Sequence, residues 1–160
     1  RGLIPPAGPV EAPAIAGIWN RVIRETVQTF TTLEKSPDDL ASRIAAGTPW
    51  WVAEAAGAVV GHATYGAFRA GPGYAQTMEH SIHLTEAAQG KGLGRALMGA
   101  LEGHARAGGV HVMVAGISAS NAGGLAFHPA LGYLEVGRMP EVGTKWGQRH
   151  HLVLMQKILS

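Results

Sequence analysis

A glycine-rich turn ahead of a long amphipathic helix offers the clearest chemistry in the sequence. Gln89, Gly92 and Gly94 form the pattern Gln-x-x-Gly-x-Gly. Glycines let the backbone bend and approach a ligand without a Cβ in the way. The helix would direct unpaired N–H groups and its positive dipole end at the turn, an arrangement that holds a pyrophosphate, and Lys91 and Arg95 can add charge. A purely conformational role for the glycines is the alternative.

The elements that must position this turn follow one another along the chain with few breaks. We predict helices over residues 11–25, 37–46, about 93–106 and 122–131, and strands over residues 3–4, 50–54, 59–68, 78–85, 110–118, 132–138 and 150–158. Ser36 caps the second helix, and Ala56 and Gly57 form a hairpin turn. Loops are expected over residues 69–74 and around Pro140 to Gly147. The order predicts an α/β chain with one mixed sheet and helices on both faces.

Length, charge and cysteine content narrow the class of protein. The 160 residues predict one domain over residues 1–160 with a sizeable core. Without cysteine the chain has no disulfides, which suits a reducing cytoplasm. A net charge of +2 is too small to indicate nucleic acid as the partner. No apolar run reaches the roughly 18 residues of a membrane span, and no signal-peptide pattern is present.

A second pattern lies downstream of the turn, where Asn121 precedes a run from His128 to Tyr133 that ends in Leu-Gly-Tyr. Together with the glycine turn, it resembles the GNAT superfamily of acetyl-CoA-dependent N-acetyltransferases. Further short matches resemble the phosphinothricin and methionine sulfoximine acetyltransferase group: Ile18-Trp19-Asn20, Thr29-Phe30, Pro49-Trp50, Tyr74, residues 78–81 and residues 139–147. The resemblance therefore covers nearly the whole chain.

The resemblance implies how acetyl-CoA would bind. Two parallel strands would splay apart and receive the pantetheine arm of the cofactor between them, and no metal would be required. The implied cofactor residues are His83, Leu84 and Thr85 on the strand, Gln89, Gly90, Lys91, Gly92, Leu93, Gly94, Arg95 and Ala96 at the turn, and Asn121. The alternative for Leu84 is core packing of its side chain, which is compatible with the cofactor role, and Asn121 can also cap the helix that begins at Ala122.

Acetyl transfer to an amine needs a base, a stabilised carbonyl oxygen and a proton for the departing thiolate. Glu79 is the candidate base, directly or through a water, and partial burial would make it a better one. The alternative is a strand glutamate paired with Arg69 or His80. His128 stands where the resembled group has a histidine, and we expect it to protonate the thiolate or to accept the amine proton. The alternative for His128 is an ordinary surface or packing residue.

Substrate contacts are inferred from residue types alone. An amino-acid substrate calls for a cation, hydrogen-bond donors and an apolar wall, which Arg69, Lys145, Tyr74, Phe30 and Trp146 could provide. The alternative for each of these is a surface or packing role. The histidine spacings predict no metal site.

Together with the resemblance, the sequence predicts a cytoplasmic, homodimeric N-acetyltransferase that acts on the α-amine of methionine sulfoximine, methionine sulfone or phosphinothricin. A detoxifying role is implied by the resemblance and not by the residues. The homodimer is implied by the resemblance only. One alternative is an acetyltransferase of protein N-termini, of the ribosomal-protein type, which would have a wider groove instead of a loop closing at residues 143–147. Another is a module that binds acetyl-CoA without turnover, for which Glu79 would be dispensable.

Overall fold

The computed structural model describes residues 4–160. Its helices are α1 (Ala12–Glu25), α2 (Pro37–Ala45), α3 (Leu93–Ala107) and α4 (Ala122–Ala130). Its strands are β1 (Trp50–Ala55), β2 (Ala58–Ala67), β3 (Thr77–Leu84), β4 (Val112–Ser118), β5 (Leu134–Lys145) and β6 (Gln148–Ile158). Three-residue 3₁₀ turns cover residues 9–11, 72–74 and 86–88. Most predicted elements are present, with ends that differ by one or two residues.

The strands form one mixed sheet in the order β1-β2-β3-β4-β6-β5. Its neighbours are antiparallel except for β3 and β4, which run parallel. The parallel pairing covers only residues 77–79 against residues 112–114, although β3 continues to Leu84. Beyond Glu79 the two strands separate, which confirms the predicted splay. The separation opens a gap in the middle of the sheet.

Helices cover both faces of the sheet, as predicted, and alternation along each strand decides which face a side chain enters. Trp50 packs with α1 and α2 on one face, while Trp51 packs with α3 on the other. Helix α1 presents Ile15, Trp19 and Ile23 to the first core at helical spacing. No helix within residues 4–160 is long and apolar enough to cross a membrane.

The start of α2 follows the predicted capping. Ser36 accepts a hydrogen bond from the Asp39 N–H at 3.3 Å, and Pro37 occupies the first helical position, where its missing N–H costs nothing. The link between α1 and α2 has no helix or strand of its own. Its position therefore depends on contacts with the rest of the chain, and these bear directly on the site.

The predicted end of β5 is wrong. The strand was expected to stop at Arg138 before a loop, yet it continues to Lys145. Irregular register between Met139 and Gly143 takes Pro140 out of the pairing, and Glu141 within it has a φ of 61°. Such a bulge accommodates a proline that has no N–H to donate. The loop is reduced to a two-residue turn, with φ of 53° at Trp146 and 78° at Gly147.

Of the predicted strand at residues 3–4, the described residue Ile4 belongs to no strand. Leu3 lies outside the described residues. A single bridge joins Pro6 to Trp51, supported by a hydrogen bond of 2.8 Å from the Ala7 N–H to the Trp50 carbonyl. Two prolines in succession limit this segment to an isolated bridge beside β1.

Candidate active site

Two adjoining cavities meet where β3 and β4 separate. The larger has a volume of about 450 Å³ and reaches the glycine turn, and the smaller has about 210 Å³ and lies under the link between α1 and α2. Five residues line both: Gln28, Ile82, His83, Asn121 and His128. The two cavities are therefore neighbours at the gap in the sheet.

The glycine turn forms one end of the larger cavity. Gly90 and Gly92 have φ of 75° and 80°, the left-handed region that favours glycine. The backbone hydrogen bonds of α3 begin with the Ala96 N–H and the Gly92 carbonyl, so the N–H groups of the first helical residues face the turn. Gly94 lies so close to Phe127 that a Cβ there would be 3.0 Å from its ring.

Not every predicted cofactor residue lines that cavity. Gln89, Gly90, Gly94 and Asn121 do, together with His83 and Leu84. The remaining predicted residues lie outside the lining: Thr85, Lys91, Gly92, Leu93, Arg95 and Ala96. Gly92 and Leu93 begin the helix, while the exposed Lys91 and Arg95 can contribute charge from the rim. The cofactor roles of all these residues remain predictions.

The free backbone of β3 faces the gap through alternate residues. The Thr85 N–H donates to the Val60 carbonyl of β2 at 2.8 Å, so Thr85 and His83 direct their backbone groups toward β2. Leu84 and Ile82 therefore direct theirs into the gap, where β4 has diverged. Of the predicted segment 83–85, only Leu84 presents backbone to a ligand there. Ile82 was missed, because the sequence does not reveal which edge pairs with β2.

Glu79 stands at the last parallel pair before the gap. Its Oε2 is 3.1 Å from the position that a Cβ on Gly116 would occupy, and Gly116 lines the smaller cavity. The residue is exposed, yet partial burial of its carboxyl raises its pKa. Within residues 4–160, neither Arg69 nor His80 forms a salt bridge or hydrogen bond with Glu79. The alternative of a paired structural glutamate thus finds no partner here.

His128 is buried and held by two partners. Its Nδ1 is 2.8 Å from the Gly124 carbonyl, which can only accept, so Nδ1 carries the hydrogen. In the neutral ring, Nε2 then accepts from His80 Nε2–H at 3.1 Å. Burial lowers the pKa of both rings, that of His80 to about 3, so both are neutral near pH 7. A proton can enter or leave Nε2 of His128 only if His80 changes its tautomer.

Asn121 caps a helix and also lies where the two cavities adjoin. Its Oδ1 accepts from the Gly124 N–H at 3.0 Å and so caps α4. It also lines both cavities. The cap fixes the side chain at the junction, and contact with a cofactor amide stays a prediction.

The predicted substrate residues fall into two groups. Lys145 and Phe30 hold the link between α1 and α2: the Lys145 Nζ donates to the carbonyls of Thr26 at 2.6 Å and Thr29 at 2.9 Å, and the Phe30 ring lies directly over Gly143. Only 2% of the Lys145 surface is exposed, and its ammonium is directed at these backbone carbonyls. Its arrangement favours a positioning role over direct substrate contact.

The second group lies away from the two cavities. The Arg69 guanidinium is 5.6 Å from the ring centroid of Tyr74, and neither residue lines a cavity. Trp146 is 58% exposed at the turn between β5 and β6. Their substrate roles therefore stay predictions from residue type.

The smaller cavity is lined instead by residues that sequence reasoning missed. Trp19, Thr29, Thr31, Lys35 and His80 line it along with the shared residues. Residues 26–32 of the link had no periodic pattern, so nothing in the sequence placed them against the sheet. No group of three or more possible ligands that could hold a metal ion is present among residues 4–160.

Comparison with known proteins identifies the family. Residues 19–133, more than half of the chain, match the model of the acetyltransferase (GNAT) family. The chain is 40% identical, over 94% of its own length and 90% of the relative's, to the L-methionine sulfoximine/L-methionine sulfone acetyltransferase of Pseudomonas aeruginosa. The chain therefore belongs to the GNAT family of acetyltransferases.

Two solved structures are also similar. One is a GNAT phosphinothricin acetyltransferase from Sinorhizobium meliloti in complex with acetyl-CoA, with a TM-score of 0.92 and 32% identity over 99% of this chain and 89% of that one. The other is a ribosomal-protein-alanine N-acetyltransferase from Brucella melitensis, with a TM-score of 0.91 and 37% identity over 98% and 99% of the two chains. These relatives support the predicted fold and enzyme class.

The larger cavity fits acetyl-CoA in its chemistry. The N-terminus of α3 and the two left-handed glycines suit a pyrophosphate, and the free backbone groups of Ile82 and Leu84 suit the amides of a pantetheine arm. The thioester end would then lie near His128, at the junction of the cavities.

Proposed function

We propose that this protein transfers an acetyl group from acetyl-CoA to the α-amine of a small amino-acid analogue, of the methionine sulfoximine, methionine sulfone or phosphinothricin kind. The observation that carries the proposal is the junction of the two cavities across the separated strands. One cavity suits the acetyl donor, and the other has the volume for a small amine. The named activities of the relatives support the substrate class.

In the proposed reaction the amine nitrogen attacks the thioester carbonyl, and the acetyl group passes directly to the amine. Glu79 accepts the amine proton, directly or through a water, since its raised pKa makes it a better base than an ordinary carboxylate. The backbone N–H of Leu84 or Ile82 faces the gap and can stabilise the carbonyl oxygen. The C–S bond breaks, and the thiolate of CoA takes a proton.

His128 is the proposed proton donor to that thiolate, and the tautomer of His80 determines which nitrogen of His128 can carry the proton. Because Nε2 of neutral His128 is occupied by His80, a donor proton on that nitrogen requires His80 to shift its own hydrogen to Nδ1. His80 Nδ1 is buried and has no hydrogen-bond partner among the described residues, which leaves it free to receive that hydrogen. Because Nδ1–H of His128 is directed at the Gly124 carbonyl and Nε2 at His80, delivery of the proton to the thiolate also requires the His128 ring to turn away from one of these partners.

The similarity to a ribosomal-protein-alanine N-acetyltransferase keeps the N-terminal peptide as a second candidate substrate. A protein N-terminus needs an open groove for the residues that follow it. Here the smaller cavity holds only about 210 Å³, and the link between α1 and α2 is fastened over it by Lys145 and Phe30. This enclosure favours the small amine.

The test is CoA release by the purified protein with methionine sulfoximine, methionine sulfone, phosphinothricin, ordinary amino acids and a short N-terminal peptide. Glu79→Gln is compared with Glu54→Gln, a β1 carboxylate that lines neither cavity. We expect turnover of the analogues that falls at least about 100-fold in Glu79→Gln alone. Faster turnover of the peptide would refute the small substrate, and acetyl-CoA binding without any turnover would favour the binding module.

A homodimer is part of the proposal. The outermost strand β5 exposes Leu134, Val136, Met139 and Val142, an apolar edge of the kind that a second copy covers. Light scattering after size-exclusion chromatography would test it, with twice the 16.7 kDa chain mass expected. Cytoplasmic location and a detoxifying purpose remain predictions from the resemblance.

A further inference from the structure

The smaller cavity contains a lysine without an anionic partner. Lys35 lines it, and none of the salt bridges among residues 4–160 involves this side chain. Its Nζ lies 4.5 Å from the ring centroid of Trp19, which also lines the cavity. A lysine that lines a polar cavity and has no ion-pair partner is suited to bind an anionic ligand.

Lys35 is also fixed in place from two sides. Asn20 on α1 donates from Nδ2 to the Lys35 carbonyl at 3.0 Å, and its Oδ1 accepts from the Lys35 N–H at 2.6 Å. The face of Trp19 attracts the ammonium at the other end of the side chain. The backbone of Lys35 and its ammonium are thus both held before any ligand arrives, which lowers the entropic cost of binding.

A buried relay of hydrogen bonds fixes the tautomer of His83, which lines the cavity as well. Trp50 Nε1 can only donate, and it lies 3.1 Å from His62 Nδ1. His62 in its neutral form therefore carries its hydrogen on Nε2, which lies 3.0 Å from His83 Nδ1. His83 Nδ1 must accept, so the hydrogen of His83 is on Nε2.

Both rings of the relay are neutral. Burial lowers the pKa of His62 well below its ordinary value, and burial together with the nearby charge of Lys35 lowers that of His83 to about 4. The relay would break if either ring carried a second hydrogen. Near neutral pH the cavity is therefore supplied with one ammonium from Lys35 and one N–H donor from His83.

We propose that Lys35 and His83 form the subsite for the α-carboxylate of the amino-acid substrate. The proposal rests on the proposed function, because the carboxylate is the anionic group that all the candidate analogues share. The Lys35 ammonium pairs with the carboxylate, and His83 Nε2–H donates to one of its oxygens. Trp50 and His62 act through His83 and are positioning residues.

The test compares methionine sulfone with its primary amide, which lacks the negative charge. Dissociation constants are measured by calorimetry, and kcat/KM by CoA release, for the wild type, Lys35→Met and Lys35→Arg. Arg43→Met is the matched control, because the exposed Arg43 also places its cation near a tryptophan ring, with Cζ 5.2 Å from the centroid of Trp50, yet lines neither cavity. We expect the wild type and the control to prefer the acid by about 10- to 100-fold.

Lys35→Met should abolish that preference, and Lys35→Arg should keep part of it. Equal losses for the acid and the amide in Lys35→Met, or equal binding of both by the wild type, would overturn the subsite. The calorimetric comparison does not depend on turnover. Acid-selective binding without CoA release would keep the subsite and refute the proposed function, whereas turnover with unchanged selectivity in Lys35→Met would do the reverse.

The relay has its own spectroscopic test. Nitrogen-15 NMR of the histidine rings distinguishes the protonated ring nitrogen from the other, and we expect Nε2–H for both His62 and His83 at pH 7. His83→Phe should lower the preference for the acid by up to about 10-fold. An Nδ1–H form of His83, or an unchanged preference in a folded His83→Phe variant, would remove His83 from the subsite.

Discussion

The ammonium of Lys145 should contribute substantially to stability, because it joins the hairpin of β5 and β6 to the link between α1 and α2. It donates two hydrogen bonds, of 2.6 and 2.9 Å, to carbonyls more than a hundred residues away, and the side chain is 2% exposed. Hydrogen bonds of charged groups contribute roughly 1.5 to 3 kcal/mol each, and the cost of burying the ammonium offsets part of that sum. We expect Lys145→Met, which keeps the apolar stem, to lower the free energy of unfolding by about 2 to 4 kcal/mol.

Urea unfolding with linear extrapolation measures this change, and Arg149→Met on the same hairpin is the control. The Arg149 side chain is 73% exposed, and its Nη1 is 3.7 Å from Glu141 Oε1, a long and solvated ion pair. Its loss should therefore change the free energy of unfolding by less than about 0.5 kcal/mol. Because the link forms part of the smaller cavity, the KM for the amine should rise in Lys145→Met while the KM for acetyl-CoA changes less. The reasoning is refuted if Lys145→Met is as stable as the control.

Three further predictions concern the base, the acetyl-CoA cavity and the buried histidines. The kcat/KM for the amine should fall as the pH drops through a pKa above that of an ordinary carboxyl, since the base must be ionised, and Glu79→Gln should lose this acidic limb. Gly94→Ala should raise the KM for acetyl-CoA by about 10-fold, because its Cβ would meet Phe127 at 3.0 Å, whereas Gly99→Ala on the same helix, with nothing within 4 Å, should leave it unchanged. The pKa of His83 is about 4 in the folded protein and lies near its ordinary value of about 6.5 in the unfolded chain. The free energy of unfolding should therefore keep the full contribution of His83 above about pH 6.5 and fall by up to about 1.4 kcal/mol per pH unit as the pH drops toward 4. A folded His83→Phe variant should show a shallower slope.

Much of the fold could be predicted because its local signals are strong. The alternation of β3 and the helical spacing of α1 are visible in the sequence, and glycine is the residue expected where Gly92 turns with φ of 80°. Strand β5 was predicted too short, because a proline usually ends a strand. The structure tolerates Pro140 by placing it at a break in the register, which depends on β6 and not on the local sequence.

The candidate site was harder to predict because its contacts join distant parts of the chain. His80 and His128 are 48 positions apart, and each alone looks like an ordinary histidine. The position of Lys35 depends on Asn20, which forms hydrogen bonds with its backbone, and on Trp19, whose ring lies below its ammonium. Pairing partners also decide which backbone groups of β3 remain free, so a sequence motif could indicate the segment but not the residue.

The proposed transfer of the acetyl group straight from acetyl-CoA to the amine is best tested by initial-rate kinetics. The concentrations of acetyl-CoA and methionine sulfone are varied together. Direct transfer requires both substrates to be bound at once, so reciprocal plots should intersect, with one CoA thiol released per N-acetyl product. Parallel plots would indicate an acetylated enzyme intermediate. That result would contradict a reaction at the junction of the two cavities.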